Sequence, residues 1–257
     1  MPGFRRRDAL LVAHSPVPRA HGSGADRPGP GYGQRMSQTM PLFPLGMVLY
    51  PGLVLPLHIF EERYRQLVRD LQAGPQPGHF GVIAIRKGRE TGVDGISALH
   101  EVGCTATLRQ VTEHEDGRFD LLTVGTQRFR LMSLDDSRPY LQGTVELLAE
   151  ESGDAATADL AAQAVQRAFR GYLDLLAGQG AAEISVPEMP DEPVLLSYLV
   201  AASMIIDLPD RQALLAEHDA VSRLIAERAL LSRETAILRS IGSTPAPDLR
   251  SSPYNPN

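Results

Sequence analysis

The sequence predicts an α+β protein, with a small and mostly antiparallel β barrel followed by a helical bundle. Three observations lead to this fold class. Thr/Val/Leu-rich runs with partial alternation fill residues 40–150, tight turns separate these runs, and apolar positions take a helical period from residue 159 onward. With 43% hydrophobic and 22% charged residues among 257, the chain is typical of a globular protein of one large or two modest domains.

The N-terminal segment 1–39 is predicted to be a disordered basic tail, or else a start assigned too early, because Met36 and Met40 stand just ahead of the first apolar run. The net charge is −6, and residues 1–40 hold six arginines against two aspartates, so the rest of the chain carries −10. The negative charge of the chain beyond residue 40 repels a phosphate backbone, which argues against nucleic-acid binding by the folded part.

The only cysteine, Cys104, excludes an internal disulfide and fits a reducing compartment, so we expect a cytoplasmic protein. The apolar stretch 9–13 is shorter than the core of an export signal. No apolar run approaches the roughly 18 residues that span a bilayer, so we expect no membrane partner.

The folded part opens with "PLFPLGMVLYPGLVLPLHIFEERY" at residues 41–64, an apolar stretch that contains four prolines. Proline donates no ladder hydrogen bond, so this stretch is predicted to form edge strands or strands broken by turns. A helix is predicted to follow, with Phe60 and Tyr64 on its apolar face and Gly74 as its stop. Arg63 follows Glu61 too closely for a same-face helical pair, so we expect a partner elsewhere if either is buried.

The next strands are predicted over 79–85 and over the runs that begin at Gly103, Arg118 and Tyr140. Asp116-Gly117 between two such runs is a hairpin signal, and Gly125 within a long run indicates a bulge or sharp bend. These strands complete the barrel predicted over 40–150.

The helical subdomain is predicted over 156–241. Its parts are an amphipathic helix over 159–177, a Gly/Pro-rich linker over 178–193, an apolar and buried helix over 194–206, and a last helical stretch with Pro209 in its first turn. Leucines at 224, 231 and 238 repeat every seven residues, which favours helix packing within the chain or against a partner. Residues 242–257 are predicted to be a flexible tail.

The residues that catalysis would need are scarce. The only lysine, Lys87, is followed by Gly88, so a Walker A loop is excluded, and a Ser-Lys dyad would have to use that same lysine. We therefore expect no enzyme activity, no catalytic residues and no cofactor. A zinc site from His100 and Cys104 is an alternative, but a structural role for Cys104 as a buried residue is favoured. A cation site at the three acids of 113–116 is another alternative, but a solvated hairpin tip is favoured.

Several of these motifs together resemble the Lon protease N-terminal, or substrate-binding, domain family. The opening elements that carry the resemblance are Pro41, Leu42, Phe43, Pro44, Leu45, Pro51, Gly52, Pro56, Leu57, Ile59, Phe60, Glu61, Arg63 and Tyr64. Further elements are Gly103, Gly125 and Arg128-Phe129 in the barrel and Leu208-Pro209, Gln212 and Leu214-Leu215 among the helices. The similarity covers about residues 40–240, nearly all of the folded chain.

This resemblance implies a PUA-like β pseudo-barrel joined to a helical bundle, in a stand-alone member without the ATPase and protease modules. It also implies a role in recognising client or partner proteins, as an adaptor or a regulator of proteolysis. Leu53, Leu57, His58 and Tyr64 are the candidate contacts for exposed apolar segments, with the protein core as the competing assignment. His58 is either a hydrogen-bonding contact in a binding cleft or a satisfied polar residue where strand meets helix.

Two other functions stay open at this point. RNA or modified-nucleotide binding is one alternative, because PUA-type barrels serve that purpose elsewhere. An enzyme that acts on a small molecule through carboxylates is the other. The oligomeric state is left open.

Overall fold

The computed structural model describes residues 37–88, 96–178 and 188–242. The predictions for 1–36, for the tail beyond 242 and for most of the linker over 178–193 lie outside these ranges. The strands are β1 (Ser37–Leu45), β2 (Val54–Ile59), β3 (His79–Gly88), β4 (Ile96–Leu99), β5 (Val102–Glu113), β6 (Phe119–Asp135) and β7 (Gln142–Leu147). The helices are α1 (Glu62–Ala73), α2 (Ala155–Gly178), α3 (Pro193–Ser203), α4 (Leu208–Ala216) and α5 (Ala220–Gly242).

The strands close into a barrel, which confirms the predicted α+β class. Neighbouring strands follow the order β1-β7-β6-β5-β3-β4, and β1 also pairs with β3 in parallel, so five of them form a ring. All the other pairings among the described strands are antiparallel. Within the described ranges β2 pairs with β6, and β4 extends β3.

The two prolines of β1 sit on either side of a change of partner. Residues 37–41 pair with β7, and residues 42–45 pair with β3. Pro41 lies opposite Gln142, and Pro44 lies opposite Ile83. Each proline thus belongs to a segment paired in register with one neighbour, which suits a residue that cannot donate to a second ladder.

The barrel core contains aromatic and aliphatic side chains from the strands and from α1. Tyr64 is 5% exposed, and its ring stacks on Phe43 with centroids 4.1 Å apart. The helix begins at Glu62 rather than at Phe60, with Glu61 as an extended N-cap. Phe60 therefore lies ahead of the helix and is 56% exposed, so the prediction that it belongs to the buried helical face is wrong.

The hairpin and the bend are both found near the predicted positions. Gly117 takes φ +77° in the turn between β5 and β6, a conformation that favours glycine. A Cβ at Gly125 would lie 2.3 Å from the carbonyl oxygen of Tyr50, so only glycine fits there. The register shifts so that Thr126 and Gln127 together face Thr105 of β5, which places a bulge directly after Gly125.

The chain divides into two compact units. One holds the seven strands, α1 and α4; the other holds α2, α3 and α5. The last helical stretch is two helices, because Asp219 accepts a hydrogen bond from the Ser222 amide and caps a new start. The subdomain limits predicted from the sequence stay predictions.

The second unit buries the apolar stripe of α5 within the chain. Leu224 and Leu231 are both fully buried, so this part of the seven-residue repeat packs inside the unit. Helix α3 is less buried than its composition indicated. Leu195 is 54% exposed and Ile205, beyond the helix end, is 64% exposed. Among the described residues, no helix combines the length and the apolar character needed to cross a bilayer.

Candidate functional site

Six of the fourteen residues of the opening motif lie in the interior of the protein. Leu42, Phe43, Pro44, Pro51, Ile59 and Tyr64 are buried. Arg63 forms an ion pair with Glu61 at 3.0 Å, and both side chains are only partly buried, so the condition under which we expected a partner elsewhere is not met. The i, i+2 spacing works because Glu61 is the N-cap, whose backbone is extended rather than helical.

The four candidate contact residues fall on two sides of β2. Leu53 and Leu57 are partly buried and pack against the barrel core, where Tyr64 also lies. His58 is exposed and points outward. Their role in binding stays a prediction, but the structure separates His58 from the other three.

The outward side of β2 is a small apolar surface. Val54 and Pro56 lie directly opposite Val124 and Leu122 of β6, and these four residues are here called the outer strip. Val54 is 37% exposed and Leu122 is 40% exposed. Neither was among the residues predicted from the sequence, although the alternation of 54, 56 and 58 against 55, 57 and 59 could have separated the two faces.

A polar network closes one end of the outer strip. Asp120, the cross-strand partner of His58, accepts a 2.6 Å hydrogen bond from His58 Nδ1 through one oxygen and a 2.7 Å bond from His114 Nε2 through the other. Arg118 Nη1 lies 3.4 Å from His58 Nε2, and Arg118 Nε donates to Asp116 at 2.6 Å. The exposed Phe60 ring stands beside His58, with centroids 6.3 Å apart.

The electrostatics of this network keep its carboxylates ionised. The hydrogen bond from His58, followed by that from His114, lowers the pKa of Asp120 below its usual value. The backbone amide of Arg118 and then its side chain lower the pKa of Asp116 in the same way. The network is thus a set of hydrogen-bonded polar side chains that joins the hairpin tip to β2.

The alternative metal sites gain no support in the described part of the chain, where no three His, Cys, Asp or Glu side chains are grouped to hold an ion. Cys104 is fully buried, as favoured, and its burial raises the pKa of the thiol far above the usual range. A protonated thiol is a poor zinc ligand. The hairpin tip is solvated, since Glu113, Glu115 and Asp116 are all exposed.

The fold and this surface define a class: a closed β barrel that presents an exposed apolar strip ending in a hydrogen-bonded polar network. The model of the ATP-dependent protease La (LON) substrate-binding domain matches residues 39–233. The chain therefore belongs to this family.

The curated relatives are Lon proteases that are longer than this chain. Lon protease of Escherichia coli strain K12 is 26% identical over 201 residues, which are 78% of this chain and 25% of that protein. Lon protease 2 of Myxococcus xanthus is 26% identical over 204 residues, which are 79% of this chain and 24% of that protein. The chain spans about a quarter of the length of these relatives.

Two solved structures share the fold. A Lon N-terminal domain protein from Xanthomonas campestris aligns with a TM-score of 0.54 and 27% identity, over 76% of this chain and 98% of that one. The N-terminal domain of a Mycobacterium avium complex Lon protease aligns with a TM-score of 0.53 over 77% of this chain and 98% of that one. Its sequence identity is 16%, so this similarity supports the fold alone.

Proposed function

We propose that this chain is a protein-recognition domain that binds exposed apolar segments of client or partner proteins along the outer strip. The observation that carries the proposal is the cross-strand pair Pro56–Leu122 with Val54 beside it, an exposed apolar surface on two paired strands. Apolar groups that stay in water on a folded domain mark interaction sites when they are contiguous. Phe60 adds an exposed ring near the polar end of the strip.

The proposed role is binding without catalysis, in the cytoplasm, as an adaptor or regulator of proteolysis. Two facts support it. The family is that of a substrate-binding domain, and the single lysine of the chain lies outside any Walker A sequence. The nucleotide alternative is weaker, because Arg65 and Arg118, which lie at the hairpin tip, are paired with Glu62 and Asp116.

The experiment measures binding of a permanently unfolded probe, a reduced and carboxymethylated protein labelled for fluorescence anisotropy. Leu122→Ser should weaken its affinity about tenfold, the effect of losing one buried leucine contact. Leu134→Ser is the matched control, because Leu134 is a 51% exposed leucine of the same strand outside the strip. Equal affinities of the two variants for the probe would overturn the proposal.

A further inference from the structure

A groove lies on the outer face of the barrel unit, at the bulge of β6. Its volume is about 300 Å³, near the lower limit for ligand pockets. The polar residues that line it are Gln38, His79, Thr105, Thr107, Thr126 and Gln127. The groove belongs wholly to the barrel unit, because the residues that line it all come from its strands.

Thr105 is the unusual member of this groove. It is 7% exposed, and its hydroxyl oxygen is buried without a hydrogen-bond partner in the described part of the chain. The neighbouring Cys104 and Ala106 are fully buried in the core, so the alternation of β5 turns Thr105 to the outer side together with Thr107. A buried hydroxyl without a partner destabilises a fold, and a hydrogen bond from a ligand in the groove would offset that cost.

The other groups of the groove keep hydrogen-bonding capacity. Thr126 donates its hydroxyl proton to the Thr105 carbonyl at 3.1 Å and retains its acceptor lone pairs. Its contact with the Thr107 hydroxyl is 3.5 Å, too long to occupy either group. Gln127 donates through Nε2 to the Leu148 carbonyl, which leaves its amide oxygen as an acceptor. The hydroxyl and amide groups of the groove thus offer both hydrogen-bond donors and acceptors.

The groove and the outer strip share one strand. Leu122, Val124 and Thr126 follow one another at every second position of β6, so Thr126 lies about 14 Å along the strand from Leu122. The outward face of β6 therefore runs from the Asp120 network, over the apolar strip, to the hydroxyl groups of the groove. An extended chain laid along β6 would meet these three environments in that order.

We propose that this groove binds the uncharged polar part, rich in Ser, Thr, Asn and Gln, of the same extended segment whose apolar part occupies the outer strip. This inference rests on the proposed function and specifies the client sequence it recognises. Amide and hydroxyl groups both donate and accept, which matches the hydroxyl and amide groups that make up most of the lining of the groove. Nucleotides fit less well, because no arginine or lysine is among the described residues that line the groove for phosphate contact, and the imidazole of His79 is the one ring there for base stacking.

The test uses the full chain and three labelled probes: a decapeptide of leucines followed by Gln, Ser and Asn, a decapeptide in which those polar residues are alanine, and oligouridylate RNA. The polar decapeptide should bind about three- to tenfold more tightly than the alanine one, the effect of one or two neutral hydrogen bonds. Thr105→Val should remove this difference while the thermal midpoint stays equal or rises, because Val fills the site without a buried hydroxyl. Thr112→Val, an exposed position on the same strand, should leave the difference intact.

The outcomes separate the two proposals. Tight binding of both decapeptides with equal affinity overturns the proposal for the groove and leaves the proposal for the outer strip intact. A preference for the polar decapeptide that persists in Thr105→Val, or a lower thermal midpoint of that variant, also overturns the proposal for the groove. Binding of the RNA that is lost in Thr105→Val shows a nucleotide site instead. Failure of both decapeptides to bind overturns the proposed function together with this inference.

Discussion

The guanidinium of Arg128 donates through Nη1 to the carbonyl of Leu215 at 2.9 Å, in the last turn of α4, although the two residues are 87 positions apart. Its Nε donates to Glu150 at 2.8 Å, and the side chain is 1% exposed. A cation at the end of a helix stabilises its unpaired carbonyls. Tyr50 and Gln212 add hydrogen bonds between α4 and the barrel, to the carbonyls of Arg211 and Val102, and the second of these is buried.

Replacing Arg128 should destabilise the barrel unit strongly. Arg128→Met leaves Glu150 and the Leu215 carbonyl without their cation, and we expect a loss of about 3 kcal/mol in the free energy of unfolding. Urea denaturation followed by circular dichroism measures this loss. Arg130→Met is the control, because Arg130 is exposed on the same strand. Equal midpoints for the two variants would show that the buried contacts of Arg128 contribute nothing.

Gly125→Ala should be among the most damaging small substitutions in the chain. The added Cβ would lie 2.3 Å from the Tyr50 carbonyl oxygen, and backbone would have to move to admit it. We expect a loss of about 3 kcal/mol in the free energy of unfolding, at the upper end of overpacking effects. Gly171→Ala, in the interior of α2 with no atom within 4 Å of its new Cβ, should instead gain about 1 kcal/mol. Chemical denaturation of both variants tests the contrast, which a loss of stability in Gly171→Ala would contradict.

Glu227 should make the helical unit less stable as the pH rises. It is fully buried, and neither carboxylate oxygen has a hydrogen-bond partner among the described residues. Burial raises its pKa well above the usual value, although Arg223 one turn earlier opposes the shift. A raised pKa in the folded state means that the folded chain binds a proton at Glu227 more tightly than the unfolded chain does. The stability that this proton contributes is complete below the unfolded pKa and is lost as the pH rises above the unfolded pKa.

The measurement for Glu227 is the thermal midpoint of the chain between about pH 5 and about pH 9. Glu227→Gln cannot ionise, so its midpoint should fall less with rising pH than that of the wild type. Glu151→Gln, an exposed glutamate of the same unit, should reproduce the wild-type slope. A Glu227→Gln slope identical to the wild type would refute the assignment.

The stability lost when a tyrosine hydroxyl is removed should depend on pH at Tyr140 but not at Tyr50. Tyr140 donates a 2.6 Å hydrogen bond to Asp70, and this bond is the main cause of the lowered pKa of Asp70. A lowered folded pKa contributes stability that is present above the unfolded pKa and disappears as the pH falls. Tyr140→Phe should therefore cost about 1 kcal/mol near neutral pH, reduced by the partial exposure of Asp70, and less in acid.

The control for Tyr140 is Tyr50→Phe. Tyr50 donates to the Arg211 main-chain carbonyl, which does not titrate, so its loss should be the same at every pH where the chain is folded. Urea midpoints of both variants at neutral and acid pH give the comparison. Parallel pH profiles for the two variants would contradict the role of the Tyr140–Asp70 bond.

The order of strands and helices was predictable because it depends on local patterns. Alternation located β5 and β6, Asp116-Gly117 located their turn, and a 3.6-residue period located α2 and α5. The helix boundary at Phe60 was misplaced, because an apolar residue ahead of an N-cap continues the helical pattern without belonging to the helix. The outer strip was missed because the opening stretch was interpreted by its apolar content rather than by its alternation.

Composition and motif content by themselves determined that the chain carries no Walker A sequence, that its opening stretch forms proline-limited strands, and that its motifs are those of one family. Only the tertiary structure brought His58, His114 and Asp120 together and placed Leu215 against Arg128. Those contacts depend on strand register and on helix docking between residues far apart along the chain. Packing in three dimensions sets both, and a shift of one residue in β2 would turn His58 inward.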